Sequence, residues 1–159
     1  MFEALERSKA RGRLKRAFST VDAVNVLAFA EKGLLTSQLC VISAGVLEES
    51  VRLHLSEYAR VKSLGFVANF VTRRIQKLTN LNSEKLIELL RDLDPSLADE
   101  MATFLDDRRR SALNSLIALR HAVAHGKDSS TSLASVVQYG AVIFEILDRL
   151  DEVFQRIAV

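Results

Sequence analysis

Hydrophobic residues recur three and four positions apart along nearly the whole chain, which is the spacing of one helix face. No segment shows the strict alternation of apolar and polar residues that is typical of a half-buried strand. We predict helices over residues 3–17 (helical or partly frayed), 21–33, 37–62, 65–78, 83–93, 96–125 and 132–157, with an interruption near Asp106 and Asp107. Short connections favour antiparallel neighbours, so the prediction is one all-α, up-and-down bundle of about four or five long helices.

Particular residues mark several of the predicted helix ends. Thr36 is a candidate N-cap for the helix over 37–62, and Ser83 opens a short helix that ends at Asp94 and Pro95. Gly126 indicates the position just past a helix C-terminus, where a left-handed backbone is needed. The helix over 37–62 is apolar on nearly every side in its first half, so we expect it at the centre of the bundle.

Arg120 interrupts the hydrophobic face of the helix that is predicted to end near Gly126. At about 100° per residue it falls near the middle of an apolar stripe. That stripe is formed by Leu113, Leu116, Ile117, Val123 and Ala124. Because arginine is almost never buried without a partner, we expect Arg120 to meet a carboxylate inside the bundle, a second subunit or an anionic ligand.

Two histidines follow Arg120 at the end of the same helix. His121 and His125 are four residues apart and share a helix face. His125 lies in the predicted last turn, where the helix dipole favours a protonated imidazole. Histidine exchanges protons near neutral pH, and arginine grips phosphoryl oxygens in a fork. Together these groups supply what RNA cleavage without a metal needs.

The motif formed by Arg120, His121 and His125 resembles the signature of the HEPN superfamily of small helical domains, which places an arginine, a polar residue and a histidine late on a long helix. The chain as a whole, 1–159, resembles a single HEPN domain, similar to the branch called RiboL-PSP-HEPN. The resemblance implies a metal-independent endoribonuclease that leaves a 2′,3′-cyclic phosphate. It also implies a homodimer in which the motifs of both subunits line one cleft.

The same resemblance implies a biological setting and an alternative. HEPN domains fit a toxin of a toxin–antitoxin pair or an effector of antiviral defence, which would bring an antitoxin or a defence-complex partner. Some HEPN domains bind RNA or nucleotide, or dimerise, without cutting. A purely structural helical adaptor is the third possibility. We expect His125 to move the proton, Arg120 to hold the phosphate and His121 to assist.

Two acidic residues on the predicted central helix are candidates to neutralise Arg120. Glu48 shares a face with Val41 and Ala44, and Glu49 lies among apolar residues on a neighbouring face. Val46-Leu47-Glu48 also resembles the acidic position that many HEPN domains carry on an early helix, so Glu48 is preferred as the residue that orients Arg120. The alternative is that either carboxylate faces solvent at a helix edge.

Basic residues gather in three places outside the motif. Residues 1–16 hold six basic against two acidic side chains, a net charge of +4 in a chain whose total is +2. Such an arm suits a polyanion, although a solvated helix end explains it equally well. The two other groups are candidate RNA contacts or solvated faces. They are Arg73, Arg74 and Lys77, and Arg108, Arg109 and Arg110.

Composition sets limits on compartment and chemistry. The single cysteine, Cys40, lies in an apolar segment and is predicted to be a buried thiol in a reducing, cytoplasmic compartment. The uncharged run from Gly33 to Leu47 is too short to span a bilayer, so no membrane association is expected. We find no glycine-rich phosphate loop and no HExxH motif, and we expect no cofactor. His121 and His125 could share a metal ion, but no third ligand lies nearby in sequence. His54 is expected at the surface.

Overall fold

The computed structural model describes residues 2–21, 29–126 and 131–157, and within these ranges every regular element is a helix. Four helices are long and three are short, which confirms the predicted all-α bundle. The elements are α1 (Phe2–Ser19), α2 (Phe29–Lys62), α3 (Gly65–Ile75), α4 (Ser83–Leu93), α5 (Pro95–Phe104), α6 (Asp107–Ala124) and α7 (Leu133–Ile157).

The central element is α2, which packs against α1, α3, α6 and α7. Its buried residues include Leu39, Ala44, Leu47 and Val51, each at most 1% exposed. By length and composition alone the segment Glu31–Lys62 is apolar enough to cross a membrane, but 56% of its most apolar window is buried inside the bundle. An apolar helix of this kind is what the core of a helical bundle requires, and the predicted central position is confirmed.

The start of α2 differs from the prediction. Thr36 does not cap a new helix but lies inside α2, where its Oγ1 donates to the carbonyl oxygen of Lys32 at 2.7 Å. Threonine can satisfy its hydroxyl on the preceding turn in this way without ending a helix. The two predicted helices over 21–33 and 37–62 are therefore wrong as separate elements, although residues 22–28 lie outside the described ranges.

Side-chain caps set the boundaries of the short helices. Asn82 caps α4 by accepting the backbone N–H of Lys85 at 2.9 Å, and Asp94 caps α5 in the same way through Ser96 at 2.8 Å. Asp106 accepts the N–H of Arg109 at 2.8 Å and so begins α6. These contacts satisfy N–H groups that a helix start leaves unpaired. They confirm the predicted interruption near Asp106.

The basic N-terminal segment is helix α1, docked on α2 and α7 by ion pairs. Arg7 contacts Glu57 at 2.6 Å, and Arg11 contacts Asp148 and, at 3.1 Å, Asp151. Arg13 pairs with Glu49 of α2 and Lys9 with Glu6 of its own helix. Three of the six cations in residues 1–16 thus dock α1 on α2 and α7, and Lys9 pairs within α1 itself.

His54 is buried, which corrects the expectation that it lies at the surface. Its side chain is 3% exposed, stacks on Phe154 with ring centroids 4.7 Å apart, and its Nε2 lies 3.1 Å from a carboxylate oxygen of Asp151. Burial lowers the pKa of His54, although the hydrogen bond with Asp151 acts in the opposite direction. The expectation was wrong because α1, whose Arg7 contacts the same Asp151, covers this part of α2.

Candidate active site

The end of α6 presents the predicted motif. The helix ends at Ala124, and His125 follows as the C-cap residue, whose N–H points to the carbonyl oxygens of His121 and Ala122 at 3.2 and 3.1 Å. Gly126 has φ +65° and donates to the carbonyl oxygen of Val123 at 3.1 Å. This left-handed residue is the glycine terminator that the sequence predicts, and it leaves His125 in the last turn.

Arg120 is held by an amide and not by a carboxylate. The side chain is partly buried, and its Nη1 donates to Oδ1 of Asn80 at 2.9 Å. The backbone N–H of Asn80 in turn donates to Oε1 of Glu48 at 2.6 Å, and Glu48 is only 4% exposed. Glu48 and Arg120 therefore meet through Asn80. The expected direct ion pair between them does not occur among the described contacts.

Asn80 is the site residue that sequence reasoning missed. It lies in the turn between α3 and α4 and has φ +54°, a conformation that asparagine tolerates better than most residues. Asparagine is common in turns, but nothing local in the sequence indicates that Arg120, 40 positions later, is the partner of Asn80. Only the packing of α2 against α6 brings the two together.

The charge of Arg120 has no ion-pair partner within the described ranges. Burial raises the pKa of the Cys40 thiol on α2 to about 12. The positive charge of the Arg120 guanidinium has the opposite, smaller effect on that pKa. The Sγ of Cys40 lies 3.3 Å from the carbonyl oxygen of Leu116, and the residue is fully buried, as predicted. The thiol is therefore held protonated, and Arg120 keeps a net positive charge that an anion can neutralise.

The two motif histidines lie side by side and face solvent. The rings of His121 and His125 meet edge to face, with centroids 4.3 Å apart, and both residues are exposed. His121 also lines an open depression of about 370 Å³ between α4 and α6. The same depression is lined by Asn80 and by Asn114, which accepts the N–H of Ser83 at 2.9 Å and so joins the two helices. The imidazole of His121 and the asparagine that holds Arg120 therefore open onto one surface.

A comparison with known protein families matches residues 13–156 to the family described as RiboL-PSP-HEPN. The chain belongs to this family. The matched range includes Glu48, Asn80, Arg120 and both motif histidines, and it confirms the resemblance that the motif indicates. Searches among curated proteins and among solved structures gave no match. Membership of the HEPN family associates the chain with RNA cleavage or RNA binding.

The HEPN domain offers little to a metal ion. Among the residues that the structure describes, no group of three or more His, Cys, Asp and Glu side chains is placed to hold one. His121 and His125 are two neighbouring imidazoles without a third donor of this kind. A stable site for a divalent ion in proteins usually has three or four protein ligands. The chemistry available here is that of a guanidinium, two imidazoles and amides.

The two basic groups outside the motif differ in what they contact. Arg108 and Arg109 both bind Glu145 of α7, at 2.6 and 2.7 Å, and Arg110 donates to the carbonyl oxygens of Leu105 and Ala102. The second group lies on and just after α3, and its members are exposed without an ion pair to any described residue. These are Arg73, Arg74 and Lys77. The HEPN domain therefore uses the first group to hold α6, whereas the second stays exposed to solvent.

Proposed function

We propose that this HEPN domain is a metal-independent endoribonuclease. The observation that carries the proposal is the state of Arg120, which is partly buried, fixed by the neutral amide of Asn80 and not neutralised by a described carboxylate. A fixed guanidinium in a partly dry site stabilises the extra charge that a phosphodiester gains in its transition state. The exposed imidazoles of His121 and His125 supply the proton transfers.

In the proposed reaction the 2′-oxygen of a nucleotide attacks the adjacent phosphorus, and the bond from phosphorus to the 5′-oxygen of the next nucleotide breaks. His125 takes the proton of the 2′-hydroxyl, or gives one to the departing 5′-oxygen. His121 assists by serving the other step or by contacting the phosphate. The products are a 2′,3′-cyclic phosphate and a 5′-hydroxyl, so no water is consumed in the bond-breaking step, and in this proposal the imidazoles move the protons. Glu48 acts as a positioning residue through Asn80.

A second copy of the chain would complete the site. Support comes from the face of α2 that continues from Glu48, where Leu34 is 74% and Val41 is 44% exposed. Gly45 lies in the same line, and apart from the neighbouring backbone of α2 no atom lies within 4 Å of the position that its Cβ would take. At about 100° per residue these positions fall within about 60° of one another. An exposed apolar strip next to the site favours a homodimer whose two motifs share one cleft.

The proposed setting is a cytoplasmic toxin–antitoxin pair or an antiviral defence system, with an antitoxin or a defence complex as partner. A non-catalytic HEPN module that binds RNA or nucleotide is the second candidate. The free cations Arg73, Arg74 and Lys77 favour it, because they suit an RNA backbone whether or not the strand is cut.

The decisive experiment incubates the purified protein with total RNA in the presence of EDTA. We expect cleavage to survive chelation and to disappear in both Arg120→Ala and His125→Ala. Arg91→Ala is the matched control, because Arg91 is exposed in the last turn of α4 and outside the motif. Loss of cleavage on chelation, or wild-type activity in either motif variant, would refute the proposal. RNA binding without cleavage would support the non-catalytic module.

A further inference from the structure

Helix α3 carries an outward stripe of aromatic and basic side chains. Phe66 and Phe70 are 72% and 65% exposed, and Arg73 follows one turn later. At about 100° per residue the three fall within about 60° of one another. The opposite face holds the buried Ala68 and Ile75, which pack against the bundle. The stripe is therefore the face of α3 that nothing in the described chain covers.

These rings are unusual for this protein. The sequence contains eight phenylalanines, two tyrosines and no tryptophan. Among the aromatic side chains that the structure describes, Phe66 and Phe70 alone are exposed. Burying a phenylalanine is favourable by roughly 1.5–3 kcal/mol relative to leaving it in water. Two rings kept in solvent one turn apart thus indicate a ligand that covers them.

The charge around the stripe indicates an anionic ligand. No aspartate or glutamate occurs between Glu57 and Glu84, whereas five arginines and lysines do. Of these, Arg60 binds Glu3 at 2.5 Å. The other four are exposed and make no ion pair with the described residues. They are Lys62, Arg73, Arg74 and Lys77.

The order of residues along α3 points toward the candidate active site. The rings lie in its first two turns and the cations at its end, where Gln76 keeps a helical backbone (φ −59°, ψ −24°) and extends the line to Lys77. Three residues later comes Asn80, which holds Arg120. From Phe66 to Arg73 the stripe is about 10 Å long, at 1.5 Å per residue. Apolar surface, then positive charge, then the asparagine that holds Arg120 follow one another along the chain.

We infer that α3 is a second binding surface for a single RNA strand, on which unpaired bases stack on Phe66 and Phe70 while Arg73, Arg74 and Lys77 hold the phosphates. Stacking on aromatic rings beside a basic track is the general way in which proteins hold single strands without reading sequence. The surface leads the strand to Arg120 and the motif histidines. This inference rests on the proposed function for RNA as the ligand. It adds where the RNA binds and that the bound RNA is single-stranded.

Two other ligand classes have weaker support. An apolar helix that lies in a bilayer has its cations around the apolar residues, whereas here three of the four unpaired cations lie beyond the rings, on the side of Asn80. A second copy of α3 would bring these unpaired positive charges against one another. Exposed Val61, Leu64 and Val67 widen the apolar end of the stripe and are available to bases and lipids alike, so the test includes lipid.

The experiment measures fluorescence anisotropy of a labelled 2′-O-methyl oligonucleotide of about 12 nucleotides. This probe lacks the attacking hydroxyl, so binding is measured whether or not the protein cleaves RNA. We expect Phe66→Ala/Phe70→Ala to weaken single-strand binding roughly tenfold or more and to leave binding of the matching duplex unchanged. Phe66→Leu/Phe70→Leu should lose as much, because leucine keeps apolar area but offers no ring face. Arg91→Ala is the control for loss of one exposed charge.

A triple change of Arg73, Arg74 and Lys77 to alanine should weaken binding and lower the slope of log affinity against log salt by about 2. Failure of the wild type to bind the oligonucleotide would overturn the inference. So would unchanged binding in the phenylalanine variants, or full rescue by leucine. Binding to phosphatidylserine–phosphatidylcholine vesicles, lost in Phe66→Ala/Phe70→Ala while oligonucleotide binding persists, would replace RNA with a membrane.

Cleavage assays separate this inference from the proposed nuclease. A dinucleotide is too short to reach α3, so its cleavage should be unaffected in the phenylalanine variants, whereas a long single strand should show a raised KM and a similar kcat. Loss of oligonucleotide binding in those variants, with cleavage unchanged in Arg120→Ala, would keep the α3 surface and refute the active site. The reverse pattern would refute the α3 surface alone.

Discussion

Arg120 donates a hydrogen bond from Nη1 to Oδ1 of Asn80 at 2.9 Å, and this bond joins the end of α6 to the turn between α3 and α4. The same asparagine donates its backbone N–H to the buried carboxylate of Glu48 at 2.6 Å. A neutral amide fixes the guanidinium without consuming its charge. This differs from a buried ion pair, in which the two charges largely cancel.

Asn80 should therefore control RNA cleavage without controlling the fold. Asn80→Gly keeps the positive φ but removes the amide, and we expect cleavage to fall about tenfold to a hundredfold because the guanidinium loses its orientation. The melting temperature should change little, because glycine adopts the left-handed conformation without strain. Asn80→Asp should lower RNA affinity as well, because a carboxylate would neutralise Arg120. Full activity in both variants would show that Arg120 needs no orienting partner.

Glu48 should contribute to stability through one partly buried hydrogen bond. Glu48→Ala leaves the N–H of Asn80 without its partner in a partly buried position, which costs about 1 kcal/mol of unfolding free energy. Glu48→Gln keeps an oxygen that can accept the bond, so we expect it to lose less. Urea unfolding of the two variants checks this. Equal loss in both would mean that the negative charge, and not the hydrogen bond, is what the site needs.

Local sequence patterns were enough to predict the all-α fold and both ends of α6, but not the single long α2. Gly126 ends α6 because its backbone is left-handed, and Asp106 begins it because its side chain caps the first turn. The role of Asn80 could not be predicted, because its partner is 40 residues away and depends on how α2 packs against α6. For Thr36 a local pattern was misleading. Threonine is typical of helix starts, but here its hydroxyl donates to the preceding turn inside α2. His54 was misplaced because burial by α1 is a tertiary effect.

His54 should make folding sensitive to mild acid. Burial lowers the pKa of His54 in the folded state, where Asp151, Arg7 and Glu57 carry the nearby charges. In the unfolded chain histidine titrates near about 6.5. Above that pH the imidazole is neutral in both states, and stability is lost as the pH falls through the lowered folded-state pKa.

The measurement for His54 is the free energy of unfolding in urea at a series of pH values below about 6.5. We expect it to decrease in the wild type and to decrease much less in His54→Gln. His121→Gln is the matched control, because this histidine is exposed and its removal leaves the buried titration in place. The same slope in His54→Gln as in the wild type would assign the effect to other groups.

Two glycines should respond oppositely to alanine. A Cβ on Gly140 of α7 would overlap the ring of Phe18, which packs edge to face on Phe144 with centroids 6.2 Å apart. Gly140→Ala should therefore cost about 1–3 kcal/mol through overpacking. Gly33 lies in α2 with nothing within 4 Å of the Cβ position, so Gly33→Ala should stabilise by roughly 0.5–1 kcal/mol through helix propensity. Thermal unfolding of both variants measures these changes in stability. A stabilising Gly140→Ala would mean that the ring of Phe18 can move away from the added methyl group without cost.

The proposed cleft predicts that dimerisation and cleavage are lost together. Val41 and Gly45 lie on the exposed line of α2 that continues from Glu48, so Val41→Glu or Gly45→Arg places a charge in the expected contact. We expect light scattering to show a dimer for the wild type and a monomer for either variant, with cleavage of RNA falling in parallel because each cleft needs the motifs of both subunits. Leu5→Glu is the matched control, since Leu5 is 54% exposed on α1 and should change neither property. Retention of full cleavage by a monomeric variant would show that one chain holds the complete site, and a wild-type monomer would remove the shared cleft from the proposal.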